Sequence, residues 1–383
     1  MASPGTAPIQ VTLDASSNGP AATHALLAAM LRANVQVSDL IFSPGRPPQL
    51  EIYGELIPVQ GPGLRTLTAD DTRRIASDLI GNNKQAITTL REQGSCDVSF
   101  GLPGLARFRV NVFIQRGSCA VVMRVIPTVI PSFDALGLPK QLAELATLRD
   151  GIILVTGARG SGKSSTLACL LDRINEQQTC HIITIEDPIE FLHNHKRGTI
   201  HQRELHSDTP NFAQALRAAL RQAPKVILVG ELRDRDTMEV MLEAAETGHV
   251  VLSSLNAPDA AKTVERIVNA FPGNDQCAIR GRLSKTLRCV ISQKLLPRRP
   301  EGRVAIFEIF KASPRTLHFI ESNGLTRDTL LEIMKNSSRE GMQHFDGEIE
   351  KLVRAGTLDT ETAVAYASDP QDLQKSLDGK SAN

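Results

Sequence analysis

The sequence predicts an α/β protein: a domain of parallel strands joined by crossover helices, preceded by a smaller α+β domain. Three observations carry that prediction. From about Leu148 onward, apolar runs such as "GIILVT" and "HIITIE" alternate with helical stretches such as "NFAQALRAALRQ", the order that a parallel sheet requires. Ahead of Leu148, "RFRVNVFIQRGSCAVVMRVI" alternates apolar and polar residues on either side of Gly117, which is the pattern of a hairpin. Between the two, "PTVIPSFDALGLP" carries the prolines of a connector.

Taken in order, residues 1–22 read as a flexible tail. No Lys or Arg precedes Arg32 and no apolar block follows, so the stretch is not a secretory signal. Residues 23–130 form the α+β domain. "ATHALLAAMLRAN" places Leu26, Leu27, Met30 and Leu31 on one side of a helix, and "SDLIFSPGRPPQLEIYGELIPV" alternates short strands with Gly/Pro turns. "LTADDTRRIASDLIG" is a helix whose Thr68 and Asp71 make a capping box, with Asp where Glu or Gln is usual. In the hairpin, Phe108, Val110, Val112 and Ile114 alternate with Arg109 and Asn111, and Val121 and Met123 continue past the turn. Residues 131–147 are the linker. Residues 148–375 hold the strands "GIILVT", "HIITIE", "KVILVGE" and "HVVLSSL", with helices at "NFAQALRAALRQ", "DTMEVMLEAAETG" and "AAKTVERIVNAF". The last sets Val264, Ile267, Val268 and Phe271 in a core-facing stripe. Beyond Arg282 the pattern is predominantly helical with one strand at "GRVAIFEIF", and residues 376–383 read as a second tail.

The first strand of the larger domain leads into "GARGSGKSS". Gly157, four residues, then Gly162, Lys163 and Ser164 have the spacing of a phosphate-binding loop, between a strand and a helix as such a loop must be. Gly157, Ala158, Arg159, Gly160, Ser161, Gly162, Lys163, Ser164 and Ser165 would wrap backbone N–H groups around a β-phosphate at a helix N-terminus. Lys163 would reach the β- and γ-phosphates of ATP, and the Ser164 hydroxyl would take one position on Mg²⁺.

Ligands of parallel sheets sit beyond the carboxyl ends of the strands, and two further strands end there in acids. "HIITIEDPIEF" supplies Glu186, Asp187 and Glu190, and "KVILVGELRD" supplies Glu231. Such carboxylates can organise Mg²⁺ or polarise the attacking water. Spacing does not decide which of Glu186 and Glu231 does which. His249, between a helix end and a strand start, fits either a γ-phosphate sensor or a cap on the helix dipole. Arg109 has the opposite parity to buried Phe108 and Val110, and Arg124 lies on the returning strand, so both could project from one face.

Composition narrows the partners. With 43 basic and 42 acidic side chains the net charge is +1, no Trp and two Tyr are present, and no field or stacking platform favours nucleic acid. Apolar runs of about five residues fall far short of the roughly 18 of a membrane span. The six cysteines form no C-x-x-C pair, as expected of reduced thiols rather than a zinc site.

The motifs "RFRVNVF…QRG", "GIILVTGARGSGKSST", "HIITIEDPIEF", "QRELHSDTPNFAQALRAALRQ", "VILVGELRD" and "AAETGHVVLSSLNAPDAAKT" together resemble the secretion-ATPase superfamily. More narrowly they resemble the type IV pilus retraction ATPase family (PilT/PilU), from about Ser38 to near Leu377. The resemblance implies a PAS-like N-terminal domain followed by a RecA-like P-loop ATPase domain. It implies a homo-hexameric ring, cytoplasmic and peripheral to the inner membrane, working under a pilus platform protein, with ATP and Mg²⁺ as cofactors. A paralogous retraction ATPase is a further implied partner. By motif, Glu186, Asp187 and Glu190 match the Asp box, Glu231 the Walker B acid and His249 the first histidine of the His box. Arg109 and Arg124 match the N-terminal arginines that reach nucleotide. The chain departs from the pattern at Asn256, where a second His-box histidine is usual, at "APK" before the strand of Glu231, and at "SPRTLHFIES". "RQAP", "DRDTME" and "AYASDPQDL" lean toward the PilU-like paralogue. The implied function is ATP-driven pilus retraction. Its alternatives are a weakly hydrolysing accessory subunit and the ATPase of a related secretion or filament system.

Overall fold

The computed structural model describes residues 8–12, 20–33, 37–62, 64–127, 129–300, 302–322, 324 and 326–379. The chain divides into two units, Met1–Thr128 with His206–Asp208, and Val129–Leu205 with Thr209–Asn383. Among its described residues the smaller unit is one sheet with three helices. Its strands are β1 (Ile9–Gln10), β2 (Val37–Phe42), β3 (Gln49–Ile52), β4 (Glu55–Gln60), β5 (Ser95–Leu102), β6 (Ala106–Gln115) and β7 (Ser118–Ile126), in the order β1-β4-β3-β2-β7-β6-β5. The helices are α1 (Pro20–Ala33), α2 (Ala69–Ile80) and α3 (Lys84–Gln93). Leu27, Met30, Phe42, Phe108 and Met123 meet in its core. The capping box forms as expected: the Thr68 hydroxyl accepts from Asp71 N–H at 3.2 Å, and the Asp71 carboxylate accepts from Thr68 N–H at 2.9 Å. The β6–β7 hairpin turns on Arg116 and Gly117, both with positive φ, the conformation a two-residue turn between twisted strands demands.

The larger unit is a seven-stranded sheet in the order β10-β9-β11-β12-β8-β13-β14. Its strands are β8 (Gly151–Thr156), β9 (His181–Glu186), β10 (Thr199–Glu204), β11 (Val226–Val229), β12 (Val250–Leu255), β13 (Leu287–Pro297) and β14 (Arg303–Lys311). All neighbours run parallel except β13 and β14. Helices α4 (Lys163–Gln177), α5 (Phe212–Ala219), α6 (Arg235–Glu246), α7 (Ala260–Asn269) and α8 (Gln276–Thr286) flank it. Strands β8, β11 and β12 are buried along their whole length, which is why they read as continuous apolar runs. Ile152 and Leu154 of β8 enter one apolar layer while Ile153 and Val155 enter the other, so the sheet is covered on both faces. Among the described residues the α-helices that follow are α9 (Pro314–Glu321), α10 (Arg327–Asn336), α11 (Phe345–Arg354), α12 (Thr360–Tyr366) and α13 (Pro370–Gly379). Phe345, Ile349, Leu358 and Leu373 tie the last of them into a satellite core.

The expected layout is corrected in four places. Strand β13 runs through a stretch read as helical, and β10 was not foreseen. Residues 131–147, expected as a linker, group with the larger unit. There Leu142 and Leu145 of a 3₁₀ helix at Lys140–Thr147 pack into the same apolar layer as Leu170. Ordered backbone also enters both presumed tails, since Ile9–Gln10 pair with Val59–Gln60 and α13 extends to Gly379. The rest of those tails lies outside the described residues. All six cysteines are free, and burial pushes the Cys169 and Cys289 thiols up to about 12, which leaves them protonated.

Candidate functional site

The phosphate loop spans from the end of β8 to the start of α4. Gly157, Gly160 and Gly162 take φ of 146°, 78° and 90°, a region closed to most side chains. The last of them is the N-cap of α4 and has no side chain to cap it, so the helix N-terminus is of the kind that receives an anion. Ala158, Arg159 and Gly160 are exposed at the tip, Ser161 is buried, and Ser164 and Ser165 are half-buried in the first turn. Lys163 Nζ folds back to donate to the carbonyls of Gly157 (3.1 Å) and Ala158 (2.8 Å). Burial lowers its pKa, and the carboxylates of Glu231 and Glu190 oppose that shift. Loop lysine, Walker-type acid and one Asp-box acid therefore share a single electrostatic site.

Glu231 follows β11, whose end is braced by β12: Ser253 Oγ donates to Val229 O and Ser254 Oγ to Gly230 O, each at 2.6 Å. Its carboxylate accepts from Arg233, which also donates to Asp187 at 3.1 Å. Arg233 was not singled out from the sequence. Its position two residues beyond Glu231 returns it to the same side of an extended chain, and that parity was the available signal.

Glu186 sits differently. Its carboxylate accepts from Thr184 Oγ1 (2.6 Å), Gln202 Nε2 (3.1 Å) and the N–H of Glu190 (3.4 Å). Burial raises its pKa against those hydrogen bonds. Three donors hold it, which suits an anchor of the loop between β9 and β10. Ser164 and Glu231 are better placed to hold Mg²⁺, the first at the head of α4 and the second in the field of Lys163. Among the described residues no cluster of three or more His, Cys, Asp or Glu is arranged to hold a metal by itself.

His249 resolves against a role at the phosphate within its own chain. Val250 pairs with Gly151 and Leu255 with Thr156. His249 therefore stands at the far end of β8 from Gly157, roughly 20 Å along six residues of strand. Its Nδ1 lies 2.9 Å from Ala244 O at the close of α6, the helix-capping alternative. Asn256, directly after Leu255, is at the loop end and exposed. Arg109 and Arg124, on the smaller unit, are Cα partners across β6 and β7, so they do share one face, and both are exposed. Arg124 Nε donates to Asp39 at 3.0 Å, and Arg109 lies 3.9 Å from Asp97.

Residues 90–343 match the family described as type II/IV secretion system protein. The chain is 39% identical over 336 residues to the type IV pilus retractation ATPase PilT of Pseudomonas aeruginosa, covering 88% of this chain and 96% of that protein. It is 36% identical over 338 residues to the type IV pilus ATPase PilU of the same organism, covering 88% and 87%. These two identities are too close to favour the PilU-like side. The crystal structure of the pilus retraction motor PilT with bound ADP superposes with a TM-score of 0.80 at 40% identity, over 90% of this chain and 98% of that one.

Proposed function

The chain belongs to the type II/IV secretion system protein family, and from that premise we propose that it is an ATP-hydrolysing motor for type IV pilus retraction. The observation that carries the proposal is the joint placement of Lys163, Glu231 and Glu190 at the carboxyl edge of a parallel sheet, behind a loop with three positive-φ glycines. In this reading the loop N–H groups and Lys163 hold the phosphates of ATP. Ser164 and Glu231 would hold Mg²⁺, which would supply positive charge to offset that of the transferring phosphoryl group. Glu231 orients the attacking water once its pairing with Arg233 loosens, and Glu186 holds the Asp-box loop in place. Arg109 and Arg124 contribute guanidinium charge to turnover, as their match to the family's N-terminal arginines implies. The smaller unit takes the PAS-like role, the working form is a homo-hexamer under an inner-membrane platform protein, and among the described residues no helix is long and apolar enough to cross a membrane.

Asn256 favours a second reading, an accessory subunit that binds ATP and turns it over weakly beside an active paralogue. Turnover by hexameric wild type, Glu231→Gln and Lys163→Ala separates the two. A motor loses about 100-fold in kcat on Glu231→Gln while keeping nucleotide, and loses nucleotide on Lys163→Ala. Equal, near-zero rates for wild type and Glu231→Gln would assign the accessory role.

A further inference from the structure

We propose that Gln293 of β13 is the positioning residue that sets the geometry of the phosphate loop, and through it nucleotide affinity. The inference rests on the nucleotide reading of that loop and adds the group that shapes it.

Strand β13 runs parallel to β8 with Ser292 opposite Thr156, so Gln293 comes into register with the first residue of the loop. It is 4% exposed, and its backbone and side chain meet the loop and the helix behind it. Its carbonyl oxygen lies 2.3 Å from where a Cβ on Gly157 would stand, which bars any side chain there. Its Oε1 accepts from Thr166 Oγ1 at 2.8 Å in the first turn of α4. That bond fixes which way the amide points, and Nε2 then lies 2.9 Å from the Cβ position of Gly162. The N–H of Thr166 is bonded in turn to Gly162 O at 3.1 Å. One residue thereby touches the first glycine, the last glycine and the opening turn of the helix. The neighbouring Ser292 Oγ accepts from Thr156 Oγ1 at 3.1 Å, so the same strand also holds the residue before the loop.

Backbone donors bind an anion well only when their directions are set beforehand; otherwise binding must order them. The glycines that make the loop permissive also make it floppy, and the Gln293 carboxamide removes that freedom from beneath. This is a role in binding, so it should act on nucleotide affinity and KM far more than on kcat.

The test titrates a fluorescent ADP analogue into full-length hexameric wild type, Gln293→Met, Thr166→Val and the double variant, and measures KM and kcat for ATP. Met keeps the volume and removes the hydrogen bond. Each single variant should bind the analogue about tenfold more weakly and raise KM by a similar factor, the size of one lost buried hydrogen bond. Its kcat should fall far less than KM rises. The double variant should be no weaker than the worse single, since both changes break one contact. Folded Gln293→Met with wild-type affinity and KM would overturn the proposal, as would losses that multiply in the double variant. Should Gln293→Met not fold, Thr166→Val decides alone: about tenfold weaker binding supports the proposal, and a folded variant with wild-type affinity and KM overturns it. A wild type that binds no analogue would instead sink the nucleotide reading itself.

Discussion

Asn256 and His249 bracket one strand, and only Asn256 stands at the end where a phosphate would lie. A histidine at 256 could carry a proton and present it to developing negative charge, whereas an asparagine offers a neutral amide at every pH. Asn256→His should therefore make turnover sensitive to acid. With an ordinary imidazole pKa near 6.5, the ratio of variant to wild-type kcat should rise about fivefold from pH 8 to pH 6, the range of a modest charge-assisted hydrogen bond. The ratio of two pH–rate profiles cancels ionisations common to both proteins, and a flat ratio would exclude Asn256 from the reaction. His249 illustrates why such an assignment could not be made from the chain alone. Its motif gives it a place in sequence, but the pairing of Val250 with Gly151 gives it a place in space, at the opposite end of the sheet. Arg233 has the converse history: only its spacing from Glu231 set it apart among 43 basic residues, yet it holds Glu231 and Asp187 together.

Strand β13 shows what the sequence conceals at the level of elements. The central strands β8, β11 and β12 were legible because burial on both faces demands unbroken apolar runs. In β13 the run breaks at Ser292, Gln293 and Lys294. Those residues are polar because of what they hold: Thr156, the phosphate loop, and the ring of Phe345, over which Lys294 Nζ sits at 4.3 Å. Edge strand β10 was missed for a related reason, since His201 is exposed and Gln202 turns to Glu186. Beside β13, Glu308 of β14 accepts from Ser292 Oγ (3.2 Å) and from Ala260 N–H at the head of α7 (3.0 Å). Burial raises its pKa from the usual 4.5 to about 7. The native state then keeps a proton that the unfolded chain releases, so the contribution of Glu308 to stability is fully present below about pH 4.5 and is lost as pH rises through 7. The whole effect is on the order of 3 kcal/mol. Glu308→Gln removes it. The thermal midpoint of the variant, taken relative to wild type, should be higher at pH 8 than at pH 5. An identical difference at both pH values would show that Glu308 does not hold the proton.

At the scale of the whole molecule, the loop and carboxylates belong to one unit and the paired arginines of β6 and β7 to the other. The phosphate loop could be read from spacing alone, because its chemistry needs glycines and lysine at fixed intervals within nine residues. The arginines could not, since alternation along a strand tells only that Arg109 faces away from Phe108, and a solvated strand shows the same pattern. Their contribution is best tested where it would be expressed, in the proposed ring. Arg109→Ala should lower kcat about 100-fold or more, in line with arginines that neutralise a transferring phosphoryl group, and leave affinity for the fluorescent ADP analogue within about threefold. Mixing then asks which chain supplies the group. Rings are closed by repeating one heterologous contact, so each subunit meets two different neighbours. If Arg109 serves the site of a neighbour, rings reassembled from equal amounts of Arg109→Ala and Glu231→Gln chains contain intact sites at about one position in four by random choice. Such mixtures should recover roughly a quarter of wild-type turnover, although either variant alone is nearly inactive. If Arg109 serves its own chain, every site in the mixture carries one lesion and no activity returns. We expect recovery. Absence of recovery from rings verified as mixed would confine the arginine to its own subunit, and unchanged turnover by Arg109→Ala alone would remove it from the reaction.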